Sequence, residues 1–240
     1  MAAGEDGMNE FQDAINFIFH SRESLTGGVR VGGAEIWSLL AKHLELSFAA
    51  LGLACLIAVP LGLWLGHIRR GQFLAISISN IGRAVPTLAL IAFFIAYFGV
   101  GFVNVMFALT LLAIPPILTN AYVGVTQVDP DTVDAAHGVG MTGAQIVRKV
   151  ELPLALPLIF GGIRTSAVNV IATATIAPLA GVVTLGNPII NAQVYGPAGR
   201  LGAAIVVAVV AVAADAGFGL LQRAVTPRAL RLANRRMETA

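Results

Sequence analysis

Chemistry in a chain starts from its nucleophiles, bases and cations, and this sequence has few. It carries four histidines (His20, His43, His67 and His137), one cysteine, and two lysines, Lys42 and Lys149. A phosphate-binding loop needs Gly-x-x-x-x-Gly-Lys-Ser/Thr, and neither lysine follows a glycine. ATP hydrolysis is therefore excluded from this polypeptide. There is no Gly-x-Ser-x-Gly elbow, no His-Glu-x-x-His pair and no Gly-x-Ser-Gly of an intramembrane serine protease. A single cysteine rules out a disulfide framework and a multi-cysteine metal site. The histidines lie at the edges of apolar stretches or in loops, where interfacial or solvated rings are expected, and none has a metal partner. Asn187-Pro188-Ile189 is one imperfect copy of the Asn-Pro-Ala box that water and glycerol channels carry twice.

What remains is polarity inside apolar surroundings. Arg83, Arg164 and Asp215 interrupt long uncharged stretches, and an ionisable group in such a place defaults to a functional candidate. Asp215 precedes Arg223 by two helical turns, so the two share a face but are too far apart to pair. Structural pairing of Asp215 with Arg83 or Arg164 is expected ahead of a role in solute passage. Ser166, Asn169 and Thr173 recur at i, i+3 and i+7 and line one helix face. Because lipid offers them no partner, they should look into a helix interface or a pathway. Phe93, Phe94, Tyr97, Phe98 and Phe102 could hold a cation over their rings, but aromatics near the end of a span more often form the interfacial belt. Gly62-x-x-x-Gly66 offers a close-packing face.

The elements that must position these residues follow from composition. The chain has 240 residues, 57% of them hydrophobic and 12% charged, with a mean hydropathy of +0.81. Soluble domains carry about 25% charged residues, so this is an integral membrane protein, and disorder is excluded. Of its 28 charges, ten lie within 1–45, six within 129–151 and six within 223–238. At roughly 20 apolar residues per span, the uncharged stretches between them predict five core spans: 44–67, 72–98, 102–124, 155–182 and 201–222. The second is interrupted near Arg83 and Pro86, and the third holds Pro115-Pro116. Charges break every window nearer the N-terminus, which leaves room for a sixth span without supporting one. Phe11, Ile15, Ile18 and Phe19 instead suit a short helix lying in the interface. The start, with Glu5, Asp6 and Glu10, is no secretory signal peptide.

Loop arginines and lysines set the orientation. Arg69-Arg70, Arg148-Lys149 and the arginines from Arg223 to Arg236 fall on one side, and the opposite loops, 99–101 and 183–200, hold only Arg200. The loop 125–154 and the C-terminus are thus expected in the cytoplasm and the N-terminus outside. The domains read as a 1–42 tail with an interfacial helix, a 43–224 transmembrane domain and a basic cytoplasmic tail, 225–240.

The loop is the informative segment. Asp129-Pro130 starts a helix, a capping side chain followed by proline at the first position. Thr132 to Val139 forms one short helix, Gly140 and Gly143 allow a sharp break, and Ala144 to Val150 forms a second. Val133, Ala136 and Gly140 give the first helix a smooth face; Ile146, Val147 and Val150 give the second an apolar stripe. Pro153 and Pro157 open the next span.

Asp134-Ala135-Ala136, Gly140, Val150 and Leu152-Pro153 resemble the EAA loop of ATP-binding-cassette importer permeases: Glu-Ala-Ala, three residues, Gly, nine residues, then Ile-x-Leu-Pro. Asp134 stands for Glu and Val150 for Ile. His43-Leu-Glu-Leu-Ser47, Pro60-Leu-Gly62, Arg83-Ala-Val-Pro-Thr-Leu-Ala-Leu90, Pro115-Pro-Ile-Leu-Thr-Asn120, Gly162-Ile-Arg-Thr165 and Ala172-Thr-Ala-Thr175 extend the resemblance, from about 43 to 228, to the osmoprotectant permeases. Gly181-Val-Val-Thr-Leu-Gly186 departs from it, since that family carries a more glycine-rich stretch there.

The resemblance implies an all-α membrane protein with the type I ABC importer permease fold, multi-pass in the bacterial cytoplasmic membrane. It implies that loop 129–153 docks in a groove of a separate ATPase subunit and transmits its closure to the helices. The chain itself would bind no cofactor, ATP and magnesium being used by that partner. Five helices enclose too little for a pathway, so a second copy or a paralogous permease is expected, with a solute-binding protein outside and lipid around. No nucleic acid is involved. Glycine betaine, choline, carnitine or proline is the expected solute; a methionine or other amino-acid permease, or a membrane scaffold that transports nothing, are the rival readings.

Overall fold

The computed structural model describes residues 2–69, 72–73, 77 and 86–226. Helix α1 spans Ala2–Phe19 and is followed by two short strands, β1 Ser21–Glu23 and β2 Arg30–Gly32, paired antiparallel. Then come α2 Ala34–His67, α3 Thr87–Phe98, α4 Phe102–Thr126, α5 Pro130–Gly138 and α6 Gly143–Ile146. A π-turn, Val147–Glu151, joins α6 to α7 Leu152–Thr173, which tightens into a 3-10 segment, Ala174–Ala180. Helices α8 Gly186–Ile190 and α9 Ala192–Val225 follow. Among the described residues, four helical runs are long and apolar enough to cross a membrane: Ala34–His67, Phe102–Thr126, Gly143–Ala180 and Ala192–Val225. Helix α3 is apolar but shorter; most of the stretch expected to precede it in the second span, Arg83 included, lies outside the described residues, as does the basic tail 227–240.

The chain forms two compact units, each drawn from three stretches. The first comprises Met1–Ala50, Pro86–Leu109 and Val168–Ala213. Helix α2 begins at Ala34 rather than at the edge of the apolar window, because Ile36, Leu39, His43, Leu46, Ser47 and Ala50 supply a buried helical stripe. Glu35, Lys42 and Glu45 lie off that stripe. Glu35 also accepts a hydrogen bond from the Gly32 amide, 3.0 Å. In α1 the buried stripe is Ala14, Phe17 and Ile18, whereas Phe11 and Phe19 are exposed. The four residues expected to share an interfacial face are thus split, because α1 packs on α9: Gly202 approaches the Ala14 carbonyl and Gly199 approaches the Phe17 ring. Arg22 lies over that ring and donates to the Tyr195 carbonyl, 2.7 Å, while the Tyr195 hydroxyl donates to Glu35, 2.7 Å. Helix α9 is broken at Gly196, whose φ of +69° lets Pro197 start the long straight part. The stretch after the 3-10 segment is held by Thr184, which donates to Ala174 and accepts from Gly186.

The second unit comprises Leu51–Val85, Thr110–Ala167 and Ala214–Ala240. Its helices meet through missing side chains. A Cβ on Gly62 would lie 2.5 Å from Ala121 Cβ, and one on Gly66 would lie 2.6 Å from Val125 Cβ. The Gly62-x-x-x-Gly66 face is therefore used, against α4. A Cβ on Gly124 would lie 2.9 Å from Ala155 Cβ, and one on Gly162 would lie 2.7 Å from the Pro116 carbonyl. Ala121, Val125, Ala155 and Ile159 form the buried core at this junction. Prolines interrupt the ladders, and side chains answer at neighbouring carbonyls. Thr119 donates to Pro115 (2.9 Å), Asn120 to Pro116 (2.8 Å), and Gln222 of α9 to Pro157 (2.7 Å).

Two adjacent glycines of α7 separate helix propensity from close approach. Gly161→Ala meets only the Gln222 amide at 3.7 Å and should gain up to about 1 kcal/mol from helix propensity. Gly162→Ala drives its methyl into the α4 backbone and should lose about 1–3 kcal/mol. Thermal midpoints of the purified protein in detergent should move in opposite directions, and a rise for both would remove the close-approach assignment.

Candidate functional site

The loop between α4 and α7 is built as a hairpin of two short helices. Asp129 caps α5, accepting from the Asp131 amide at 2.9 Å, with Pro130 at the first helical position. The hinge is Gly140, whose φ of +82° few other residues adopt. Thr142 and Gln145 then form a reciprocal capping box at the start of α6, a Thr-x-x-Gln signal legible in the sequence but not singled out there. The second limb does not end before the next span. It runs into it through the π-turn, in which the Leu152 amide bonds to the Val147 carbonyl five residues back. Pro153 accounts for this turn, because it has no amide for the Lys149 carbonyl and its ring would crowd that carbonyl in a regular helix.

The loop's apolar residues are spent on holding it in place. Ile146 is fully buried and Ala136 nearly so; Val133, Val147, Val150, Leu152 and Pro153 are half-buried, whereas Asp134, Ala135, Gly140, Arg148 and Lys149 are exposed. Val139 at the hinge is 79% exposed. The apolar stripe of Ile146, Val147 and Val150 is therefore turned inward at Ile146, and the outward surface is a small polar one around a single valine.

One side chain that sequence reading left unassigned organises the root. Glu151 is 2% exposed, and its Oε2 lies 2.9 Å from Nδ1 of His67 at the end of α2. His67, expected to be interfacial or solvated, is thus engaged with a buried carboxylate. His43 is likewise buried, with Nε2 2.9 Å from the Ile171 carbonyl. Nothing in the spacing of the sequence relates residues 67 and 151; only the packing of α2 against the loop does.

Arg164 of α7 and Asp215 of α9 form a bidentate pair, Nε to Oδ1 and Nη2 to Oδ2, each at 2.5 Å. Of the two arginines considered for Asp215, Arg164 is the one beside it, while Arg83 lies outside the described residues. Ser166 is fully buried and donates to the Ala113 carbonyl, 2.8 Å, in the turn before Pro115-Pro116. Asn169 on the same stripe is exposed and Thr173 half-buried, so the three are not gathered at one contact. The aromatics of α3 stack on one another, Phe93 on Tyr97 at 4.6 Å and Phe94 on Phe98 at 5.6 Å. Among the described residues no group of three His, Cys, Asp or Glu side chains is arranged to hold a metal.

Residues 58–231 match the model of the family described as "binding-protein-dependent transport system inner membrane component". The chain belongs to that family. It is 37% identical over 203 residues to the glycine betaine/carnitine/choline transport system permease protein OpuCB of Bacillus subtilis, covering 84% of this chain and 94% of that one. It is 38% identical over 200 residues to the choline transport system permease protein OpuBB of the same organism, with coverage of 83% and 92%. It is also 38% identical over 191 residues to the carnitine transport permease protein OpuCB of Listeria monocytogenes, with coverage of 79% and 88%. In fold it is similar to a chain of the MetNI methionine ABC transporter in an inward-facing conformation, with a TM-score of 0.69 at 23% identity over 81% of this chain and all of that one. The protein is thus an all-α ABC importer permease of the inner membrane, one component of a transport system and not an enzyme.

The Arg164–Asp215 pair makes a distinguishable prediction for this permease. Asp215→Asn and Arg164→Gln should each lower its abundance in the membrane more than uptake per assembled molecule, because each strands a charge. The double substitution should recover much of the abundance. Quantitative immunoblots beside uptake assays read this, and normal abundance with abolished uptake in Asp215→Asn would place the carboxylate in solute passage instead.

Proposed function

We propose that this permease imports osmoprotectants, namely glycine betaine, choline, carnitine or proline-type solutes, and that loop 129–153 couples it to a separate ATPase. The observation that carries the solute class is the identity of 37–38% with permeases named for glycine betaine, carnitine and choline, over about four-fifths of the chain. The likeness to the methionine transporter, at 23% identity, concerns the fold alone. The loop's form supports the coupling role. A hairpin capped at both limbs, anchored by Ile146 and Glu151 and presenting Asp134, Ala135 and Val139 outward, is a rigid surface of the size a groove accepts. ATP and magnesium act on the ATPase, and this chain binds neither.

The working assembly has two permease copies, or this chain with a paralogue, two ATPase subunits at the loops and a solute-binding protein on the opposite face. Alternating access by rigid-body rocking then moves the solute. In this reading Asn169 and Thr173 line the pathway, while Ser166 on the same stripe braces α7 against α4.

Two measurements test the proposal. Val139→Asp puts an unpartnered charge in the middle of the docking surface and should reduce co-purification of the ATPase at least about tenfold, as truncating an interface anchor does, with permease abundance unchanged. Full retention of the ATPase would refute docking through this surface. For the pathway, in a Cys55→Ser background, a cysteine at 169 should react with a water-soluble thiol reagent and one at 166 should stay inert. Inertness at both 169 and 173 would take the stripe out of the pathway. Uptake of labelled solutes by the complex in proteoliposomes distinguishes an importer from a scaffold that transports nothing.

A further inference from the structure

The end of α2 touches both limbs of the loop. His67 Nδ1 meets Glu151 Oε2 on the returning limb at 2.9 Å, and two residues later Arg69 Nη2 donates to the Val128 carbonyl at the start of the outgoing limb, 3.3 Å. The fit around His67 is close, since a Cβ on Gly143 would stand 3.1 Å from its Nε2. Arg69 itself adopts a φ of +50°, which costs a non-glycine residue energy and turns the chain at the end of α2. A carboxylate as buried as Glu151 is expensive unless it is held, and His67 is the side chain holding it. From this geometry we infer that His67 and Arg69 form a clasp that fixes the angle of the coupling loop and passes its displacement to α2. His67 and Arg69 are positioning residues, since neither belongs to the loop's outward surface. Displacement of the loop reaches α2 through the two ties, and reaches α4 through Gly62 and Gly66, where backbones approach too closely to slip.

This inference rests on the coupling role of the loop proposed above, and its test separates the two. The assembled complex is reconstituted in proteoliposomes with its ATPase and solute-binding protein, with labelled glycine betaine as the probe. The quantity read is ATP hydrolysed per solute imported. One hydrogen bond of ordinary strength in a coupling path supports a change of about threefold to tenfold, so His67→Ala and Arg69→Ala should each raise the ratio by that much at unchanged ATPase binding. The discriminating pair is His67→Asn and His67→Gln. The asparagine amide falls where Nδ1 does and should keep the ratio within about twofold of the unaltered protein, whereas glutamine reaches the Nε2 position and should uncouple like alanine. A merely structural role would not separate these two polar substitutions by ratio, and equal ratios for them would overturn the clasp.

If Val139→Asp leaves ATPase binding intact, the coupling role fails and the clasp with it. If Val139→Asp releases the ATPase while the His67 and Arg69 variants couple normally, only the clasp fails. Should glycine betaine not enter even with the unaltered chain, the solute assignment fails by itself. The asparagine–glutamine contrast is then read as the spread of distances between nitroxides at positions 56 and 139 in a Cys55→Ser background. A narrow distribution for asparagine and a broad one for glutamine supports the clasp, and equal spreads overturn it.

Discussion

With lipid as the solvent, helices gain little by burying one leucine against another, and association has to come from close van der Waals contact and from hydrogen bonds. In the second unit that constraint is met at four glycines. Gly62 and Gly66 bring α2 onto α4, Gly124 receives Ala155, and Gly162 brings α7 onto the Pro116 turn of α4. Each of these positions has a backbone or methyl group where a side chain would go. The prolines that open the ladders sit at the same contacts, and Thr119, Asn120, Ser166 and Gln222 bond carbonyls beside them. Small residues and polar ones thus do one job together: they let helices approach and keep the approached backbone satisfied.

The loop depends on that approach. Its returning limb is continuous with α7 through the π-turn, so the angle at which α7 meets α4 becomes the angle at which the hairpin projects. The extra residue of the π-turn is a consequence of Pro153, and it turns Glu151 toward His67. The hairpin's own apolar residues, Ile146 and Ala136, face inward. What is left outside is a small surface with one large apolar side chain, Val139, between exposed Asp134, Ala135 and Gly140. In the coupling role proposed above, such a surface acts by its shape, which is held by caps, a glycine hinge and a buried carboxylate rather than by size.

Much of the membrane architecture was legible because charge is expensive in hydrocarbon: the uncharged stretches delimit the helices, and the clusters mark where the chain leaves them. Local signals carried equally well, as at Asp129-Pro130 and Gly140, because a cap or a left-handed turn involves only a few neighbouring residues. Boundaries were less legible. Helix α2 starts at Ala34 although three charges interrupt its first turns, since hydropathy averages a window and misses that the charges keep off the buried stripe. The stripe of α1 was misread by one face for a related reason: the partner surface, Gly199 and Gly202 of α9, lies far along the chain.

The amino-acid sequence by itself determined that this is a membrane permease, and it marked the loop by a pattern dense enough to place the chain in its class. Those properties are local or cumulative, and read additively along the chain. Only the tertiary structure decided that Asp215 faces Arg164, that Ser166 serves the Ala113 carbonyl while Asn169 stays exposed, and that His67 and Arg69 hold the two roots of the loop. Each of these is a meeting of residues tens of positions apart, set by the rotation of one helix about its axis against another. That rotation is fixed by where glycines allow backbones to touch, which no spacing within a single helix reveals.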